Sequence, residues 1–176
     1  MNLGLALSKV VSNKGAPGVD GMKVSELRDW YAEHGPELIE QFLSGDYRPQ
    51  PVKGVNIPKP GGGDRQLGIP TVSDRLVQQA ILQVLTPILD PTYSDSSFGF
   101  RPGRSAHDAL ERARGYVADG RYIVVDLDLD KFFDHVNHDV LMNRLGRHVR
   151  DKRVLRVIGR FLRAGLMLDG VCVGGD

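Results

Sequence analysis

Three aspartates in Ile123-Val124-Val125-Asp126-Leu127-Asp128-Leu129-Asp130 form the densest chemical cluster in this chain of 176 residues. On a strand, successive side chains alternate between faces. Asp126, Asp128 and Asp130 therefore share one face, while Val125, Leu127 and Leu129 point to the other. Like charges at that spacing repel, and a divalent cation or a neighbouring base offsets them; hard oxygen ligands select Mg²⁺, Mn²⁺ or Ca²⁺. The alternative is the solvated face of an edge strand. An EF-hand loop opening at Asp126 requires glycine at its sixth position and glutamate at its twelfth, where this chain has Lys131 and Asn137. A strand-end aspartate that holds metal ions for nucleotidyl transfer, with further carboxylates supplied from elsewhere, fits the pattern.

The cations fall into three groups. Lys59 and Arg65 flank the tip Pro60-Gly61-Gly62-Gly63-Asp64, where a flexible loop could bring an ammonium and a fork-shaped guanidinium onto phosphate oxygens. Solubilising charges at a hairpin tip are the alternative. The tip lacks the Gly-Lys-Ser or Gly-Lys-Thr that completes a phosphate-binding P-loop. Arg101 and Arg104, beside Phe98 and Phe100, either reach a template or nucleotide or close a loop salt bridge. From Leu141 to Gly165, Arg144, Arg147, Arg150, Lys152, Arg153, Arg156, Arg160 and Arg163 stand against a single acid, Asp151. Arg153, Arg156, Arg160 and Arg163 make one stripe of a helix, opposite Val154, Leu155, Ile158, Phe161 and Leu162, and offer either a phosphate-binding surface or a solvated face.

Holding these groups requires a folded scaffold, and the composition supplies one. With 41% hydrophobic and 26% charged residues the chain is globular. Lys and Arg number 23 against 22 acids, a net charge of +1, which excludes a polybasic tail or an acidic solvating chain. The single cysteine, Cys172, excludes a disulfide framework and multi-cysteine zinc modules. No apolar run approaches the roughly 20 residues of a membrane helix, and the amino end lacks a secretory pattern, so no membrane partner and a cytoplasmic location are expected.

Turn and capping signals divide the chain further. A loop at 14–21 precedes a short helix at Ser25–Tyr31. A second helix starts at Pro36, carries Leu38, Ile39, Phe42 and Leu43, and ends at Gly45. Two runs within 52–69 predict a hairpin whose prolines make it an edge or a projecting finger. Ser73 is positioned to cap a helix to Leu89 with one continuous apolar face, and Ser105 with Asp108 forms a capping box for a helix to about Val117. A strand at Tyr122–Leu129, helices at Asp139–Leu145 and Lys152–Ala164, and a hairpin turning at Asp169-Gly170 complete an α+β class.

In chain order, Tyr47-Arg48-Pro49-x-Pro51, Ile57-Pro58-Lys59-Pro60, Arg65-x-Leu67-Gly68-Ile69-Pro70-Thr71-x-x-Asp74-Arg75, Phe98-Gly99-Phe100-Arg101-Pro102-Gly103-Arg104-Ser105 and Val125-Asp126-x-Asp128-x-x-x-Phe132-Phe133-Asp134 follow one another. From Lys14 onward the chain resembles bacterial group II intron reverse transcriptases. An Asp-x-Asp phosphatase of the haloacid dehalogenase type is a minor rival, whose motif continues with Thr or Val where Asp130 stands. The resemblance implies the fingers and the N-terminal part of the palm of a right-hand polymerase, with residues 1–115 as fingers and start of palm and 116–176 as partial palm. It implies that Asp128 and the carbonyl of Leu129 hold Mg²⁺, with Mn²⁺ as substitute, and that Phe133 blocks a 2′-hydroxyl on the incoming nucleotide; a core phenylalanine is the alternative. It makes Lys59 and Arg65 triphosphate-binding residues; beside it, Arg101 is read as a substrate-binding residue of the nucleotide pocket, Asp126 as structural, and Asp130 as solvated or paired with a base. Implied partners are an RNA template, intron RNA, a DNA primer and deoxynucleoside triphosphates; a dimer is left open.

That family's Tyr-x-Asp-Asp motif, its Gln-Gly element and its thumb are absent from these 176 residues. The expectation is a truncated polymerase that does not extend a primer by itself. The alternative is an RNA-binding maturase-type module that assists splicing without polymerising.

Overall fold

The computed structural model describes residues 2–58, 61–168 and 170–174. They form six α-helices, three short 3₁₀ turns and four strands, an α+β class. The chain divides into two compact units, Met1–Val84 with His138–Asp176, and Leu85–Asn137.

The first unit opens with α1 (Asn2–Ser12), which buries Ala6, Leu7 and Val10 on one face. The sequence carries no capping residue to announce this helix, and none is expected from it. A 3₁₀ turn (Val24–Glu26) then runs directly into α2 (Leu27–Ser44). The expected pair of helices is thus a single helix with Pro36 inside it. A proline forfeits only its own N–H bond to the carbonyl four residues back, and the buried Leu27 and Leu38 anchor the helix on both sides of the gap. Gly45 ends α2 in the left-handed region, φ +74°, where its N–H reaches the carbonyls of Gln41 and Phe42.

The hairpin forms as expected. β1 (Val52–Pro58) and β2 (Asp64–Ile69) are antiparallel, with Lys53 opposite Ile69 and Pro58 opposite Asp64. β3 (Leu166–Leu168) adds to β1 in parallel, Val52 opposite Leu166, and β4 (Val171–Val173) returns antiparallel to β3. The order is β2-β1-β3-β4, so β2 is an edge and β1 is interior. Asp169 of the Asp-Gly turn lies outside the described residues; Gly170 has the positive φ, +83°, that a tight hairpin turn demands.

α3 (Val72–Leu89) is capped by Thr71 rather than Ser73: the Thr71 hydroxyl accepts the Asp74 N–H at 3.1 Å. Its buried face, Val72, Leu76, Val77, Ala80 and Ile81, is shorter than the sequence suggests, because Val84 and Ile88 are 48% and 40% exposed. Burial fades where the first unit ends. α5 (His138–Gly146) and α6 (Lys152–Leu162) complete this unit, with α6 packed on α2 and α5.

The second unit contains a 3₁₀ turn (Asp90–Thr92), α4 (Ala106–Ala118) and a 3₁₀ turn (Phe132–His135). The Ser105–Asp108 capping box forms as the sequence implies, with the Ser105 N–H donating to Asp108 at 2.7 Å. Every fully buried apolar side chain among the described residues belongs to the first unit. The expected strand at Tyr122–Leu129 is not formed, since none of the described residues pairs with it. Residues with strand propensity become a strand only through a ladder partner; Ile123 and Leu127 remain 90% and 87% exposed. None of the described helices is long and apolar enough to cross a membrane.

Candidate functional site

Asp128 lies in the extended, unpaired stretch of the second unit. Its Oδ1 accepts the N–H of Leu129 at 2.9 Å, which sets the carboxylate against its own backbone. Lys131 then takes a left-handed conformation, φ 46°, and reverses the chain into the Phe132–His135 turn. There the Phe133 ring is 87% exposed, with Phe132 edge-on at 5.5 Å between centroids. Phe133 is therefore not a core residue of this unit. Asp126, Asp128 and Asp130 share a face only in strand geometry, and the described residues bring no three His, Cys, Asp or Glu side chains together around a metal-sized space. Asp128 and the adjacent Leu129 carbonyl are hard oxygen donors that do not complete a metal centre by themselves.

The basic loop of the same unit closes on itself. Arg101 commits all five N–H donors: Nε and Nη2 to the Asp90 carboxylate at 2.8 and 3.2 Å, Nη2 also to the Asp90 carbonyl, and Nη1 to the carbonyls of Ser94 and Ser97. This hydrogen bonding holds the Asp90 carboxyl below the usual carboxylate range. Arg104 bonds the Asp95 carbonyl at 2.6 Å and lies 5.5 Å over the Phe98 ring. Both arginines thus make ion pairs within the loop, Arg101 with Asp90 and Arg104 with Asp95. Phe100, with φ 57°, stands out into solvent.

In the first unit, Arg65 is exposed near the free end of the hairpin, opposite Ile57. Lys59 lies outside the described residues. The α6 stripe splits in two. Asp151 caps the helix by accepting the Arg153 N–H at 2.8 Å and pairs with the Arg153 guanidinium at 2.7 Å; these bonds pull its carboxyl down to about 2. Arg153 also reaches the Leu43 carbonyl, and Arg160 donates to the carbonyls of Gly45 and Tyr47 at 2.7 and 2.9 Å. Both cations thus secure the carboxyl end of α2, where orphan carbonyls and the helix dipole favour positive charge. Arg156 and Arg163 are exposed and make no side-chain hydrogen bond or ion pair among the described residues.

A buried polar node, whose members have no role expected from the sequence, ties together two of the quoted motifs, Tyr47–Pro51 and Arg65–Arg75. Asp74 is 1% exposed and accepts the Tyr47 hydroxyl at 2.7 Å, the Thr71 hydroxyl at 2.6 Å and the Gln50 N–H at 3.1 Å. Burial pushes the Asp74 carboxyl up despite these three donors, and burial beside the Asp74 charge pushes the Tyr47 phenol up. The node fixes the 47–50 segment to the start of α3. Arg75 adds a bond to the Ala16 carbonyl at 2.5 Å. A Cβ on Gly18 would lie 2.6 Å from the Thr71 Cα, so the 14–21 loop packs directly on this corner. The only sequence signal is Tyr, Thr and Asp flanking proline turns, which gives no hint of convergence.

Hairpin, basic aromatic loop and carboxylate segment follow one another in this order on an α+β scaffold. The chain belongs to the reverse transcriptase (RNA-dependent DNA polymerase) family, which matches residues 57–171. It is 38% identical over 162 residues to protein YkfC of Escherichia coli, covering 88% of this chain and 42% of that protein. It is 33% identical over 165 residues to the group II intron-encoded protein LtrA of Lactococcus lactis, covering 93% of this chain and 27% of that protein. Over 94 residues it is 36% identical to nuclear intron maturase 1, mitochondrial, of Arabidopsis thaliana, covering 53% and 13%. The resemblance to group II intron reverse transcriptases therefore holds, and the chain spans less than half the length of each of these relatives.

Proposed function

We propose that the chain is the fingers and N-terminal palm portion of an RNA-directed DNA polymerase of a group II intron, residues 1–115 forming the fingers and start of the palm and 116–176 a partial palm. The observation that carries this reading is the family match over residues 57–171, which takes in most of the hairpin and the carboxylate segment. In the whole protein a primer 3′-hydroxyl attacks the α-phosphate of a deoxynucleoside triphosphate, and pyrophosphate leaves. Asp128 and the Leu129 carbonyl would be this chain's share of the ligands of a magnesium ion, with manganese as substitute, which when bound would supply charge stabilisation to nucleophile and leaving group. Arg65 and Lys59 take the triphosphate, Phe133 faces the sugar, and Arg101 positions the loop that presents Arg104. Nucleic-acid contacts are assigned to Arg104 in the second unit and, in the first, to Arg156 and Arg163, which have no side-chain partner among the described residues, with Arg153 and Arg160 as anchors of their helix. The partners are an RNA template, intron RNA and a DNA primer.

The test is templated primer extension by the whole protein carrying this chain. Asp128→Asn abolishes incorporation while leaving RNA binding in place; incorporation at the wild-type rate overturns the assignment of Asp128. A second reading, an RNA-binding module that assists splicing without polymerising, is favoured by the similarity to a protein named an intron maturase. Splicing assistance that survives Asp128→Asn in a protein that never incorporates nucleotides would select it.

A further inference from the structure

We propose that a hollow beside α6, lined by Arg48, Pro49, Arg160, Arg163, Gly165 and Cys172, binds a phosphate of an RNA backbone, with Arg48 and Arg163 as its grip. The hollow measures about 480 Å³ and lies wholly within the first unit, so it uses no residue of the carboxylate segment. The inference rests on the reading of the chain as an RNA-handling protein, and it adds a site and a residue, Arg48, to that reading.

The charge of the hollow is one-sided. Three guanidinium side chains and no acidic side chain line it among the described residues. Arg160 is fixed there by the carbonyls of Gly45 and Tyr47 and pairs with Asp46 at 3.8 Å. Arg48 and Arg163 are exposed and make no side-chain hydrogen bond or ion pair among the described residues, so their donors are available. Paired guanidinium forks over one concave surface match the oxygen geometry of a phosphodiester.

The walls are also preformed. A Cβ on the buried Gly159 would sit 3.3 Å from an Arg163 nitrogen, so the guanidinium rests back on its own helix. A Cβ on Gly165 would lie 2.6 Å from the Cys172 sulfur, so no side chain fits between the chain entering β3 and the one leaving β4. The Gly165 carbonyl meanwhile accepts the Val52 N–H at 2.7 Å, locking the floor to β1. Such walls reduce the ordering needed on binding.

Cys172, the single cysteine of the chain and exposed in this hollow, reports its occupancy. The experiment follows the rate at which dithiobis-nitrobenzoate modifies Cys172 in the 176-residue chain, with and without a single-stranded RNA oligonucleotide. Binding of the same RNA is followed in parallel by fluorescence anisotropy. Saturating RNA is expected to slow modification several-fold, and Arg48→Ala with Arg163→Ala to remove the protection and weaken binding. The slope of log affinity against log salt should fall by about 0.7 for each phosphate that the variant no longer neutralises. Inorganic phosphate and deoxynucleoside triphosphates at equal concentration should not protect. RNA that binds while Cys172 reacts at the free rate overturns the site and leaves the polymerase reading standing. Protection by triphosphate alone, or protection that survives the double variant, also overturns it. RNA that does not bind at all overturns the site together with the RNA-handling reading. The protection measured on the unaltered chain stands whatever the variants' stability, and a double variant with the wild-type melting transition attributes it to the two arginines.

Discussion

Two aspartates in this fold respond to pH in opposite senses. Asp74 accepts three donors in a buried corner, and burial lifts its carboxyl above the ordinary range. A raised folded value means that its contribution is fullest below the unfolded carboxylate value of about 3.9 and declines as pH rises through the folded one. Asp74→Asn presents an amide N–H to donors that need an acceptor, and should cost at least about 2 kcal/mol in urea denaturation at neutral pH. The gap between wild type and variant should narrow as pH rises from about 4; a widening gap would refute the assignment. Asp151 behaves oppositely. Held at about 2 by Arg153 and the α6 N-terminus, its contribution is complete above the ordinary carboxylate range and is lost as pH falls through about 2. Comparing Asp151→Ala with wild type on acid titration should show the difference vanish between about pH 4 and 2. At Gly18, where a Cβ would strike the Thr71 backbone, Gly18→Ala should destabilise the same corner that Asp74 holds, by about 1–3 kcal/mol, read by thermal melting.

At the scale of elements, local signals succeed where one segment supplies its own partners. The hairpin at 52–69, the Ser105 capping box and the Gly45 stop are legible because turn chemistry and capping are decided within a few residues. They fail where the partner is remote. α2 runs through Pro36 because packing on both sides outweighs one missing hydrogen bond, and Arg153 and Arg160 become anchors because the end of α2 lies against them, more than 100 positions back in sequence. Aspartate alternation at 126–130 is plain in the sequence, but a strand also requires a neighbour, and the described residues provide none. Hydrogen exchange makes this concrete. Amides of 122–129 should exchange near the unprotected rate, while those of the β1–β2 and β1–β3 ladders are protected. Protection across 122–129 in the 176-residue chain would mean that a partner strand forms after all.

At the scale of the whole chain, the two units are held by different forces. The first contains every fully buried apolar side chain described, from Ala6 to Val157. The second is tied chiefly by polar bonds around Arg101 and by caps, with Tyr122, Val125 and Phe133 in water. Hydrophobic burial is the main favourable term in folding, so a unit without it opens at low free energy. The single tryptophan, Trp30, lies on α2 stacked against His34 at 5.1 Å and reports the first unit alone. Trypsin should therefore cut first after Arg114, Arg121 or Lys131, under conditions in which Trp30 fluorescence is still native. First cuts inside 1–84 would contradict the division. Magnesium should not slow those cuts, because the described residues around Asp128 do not close a metal centre; protection by millimolar magnesium would show that the aspartates gather their ligands without help from any further chain.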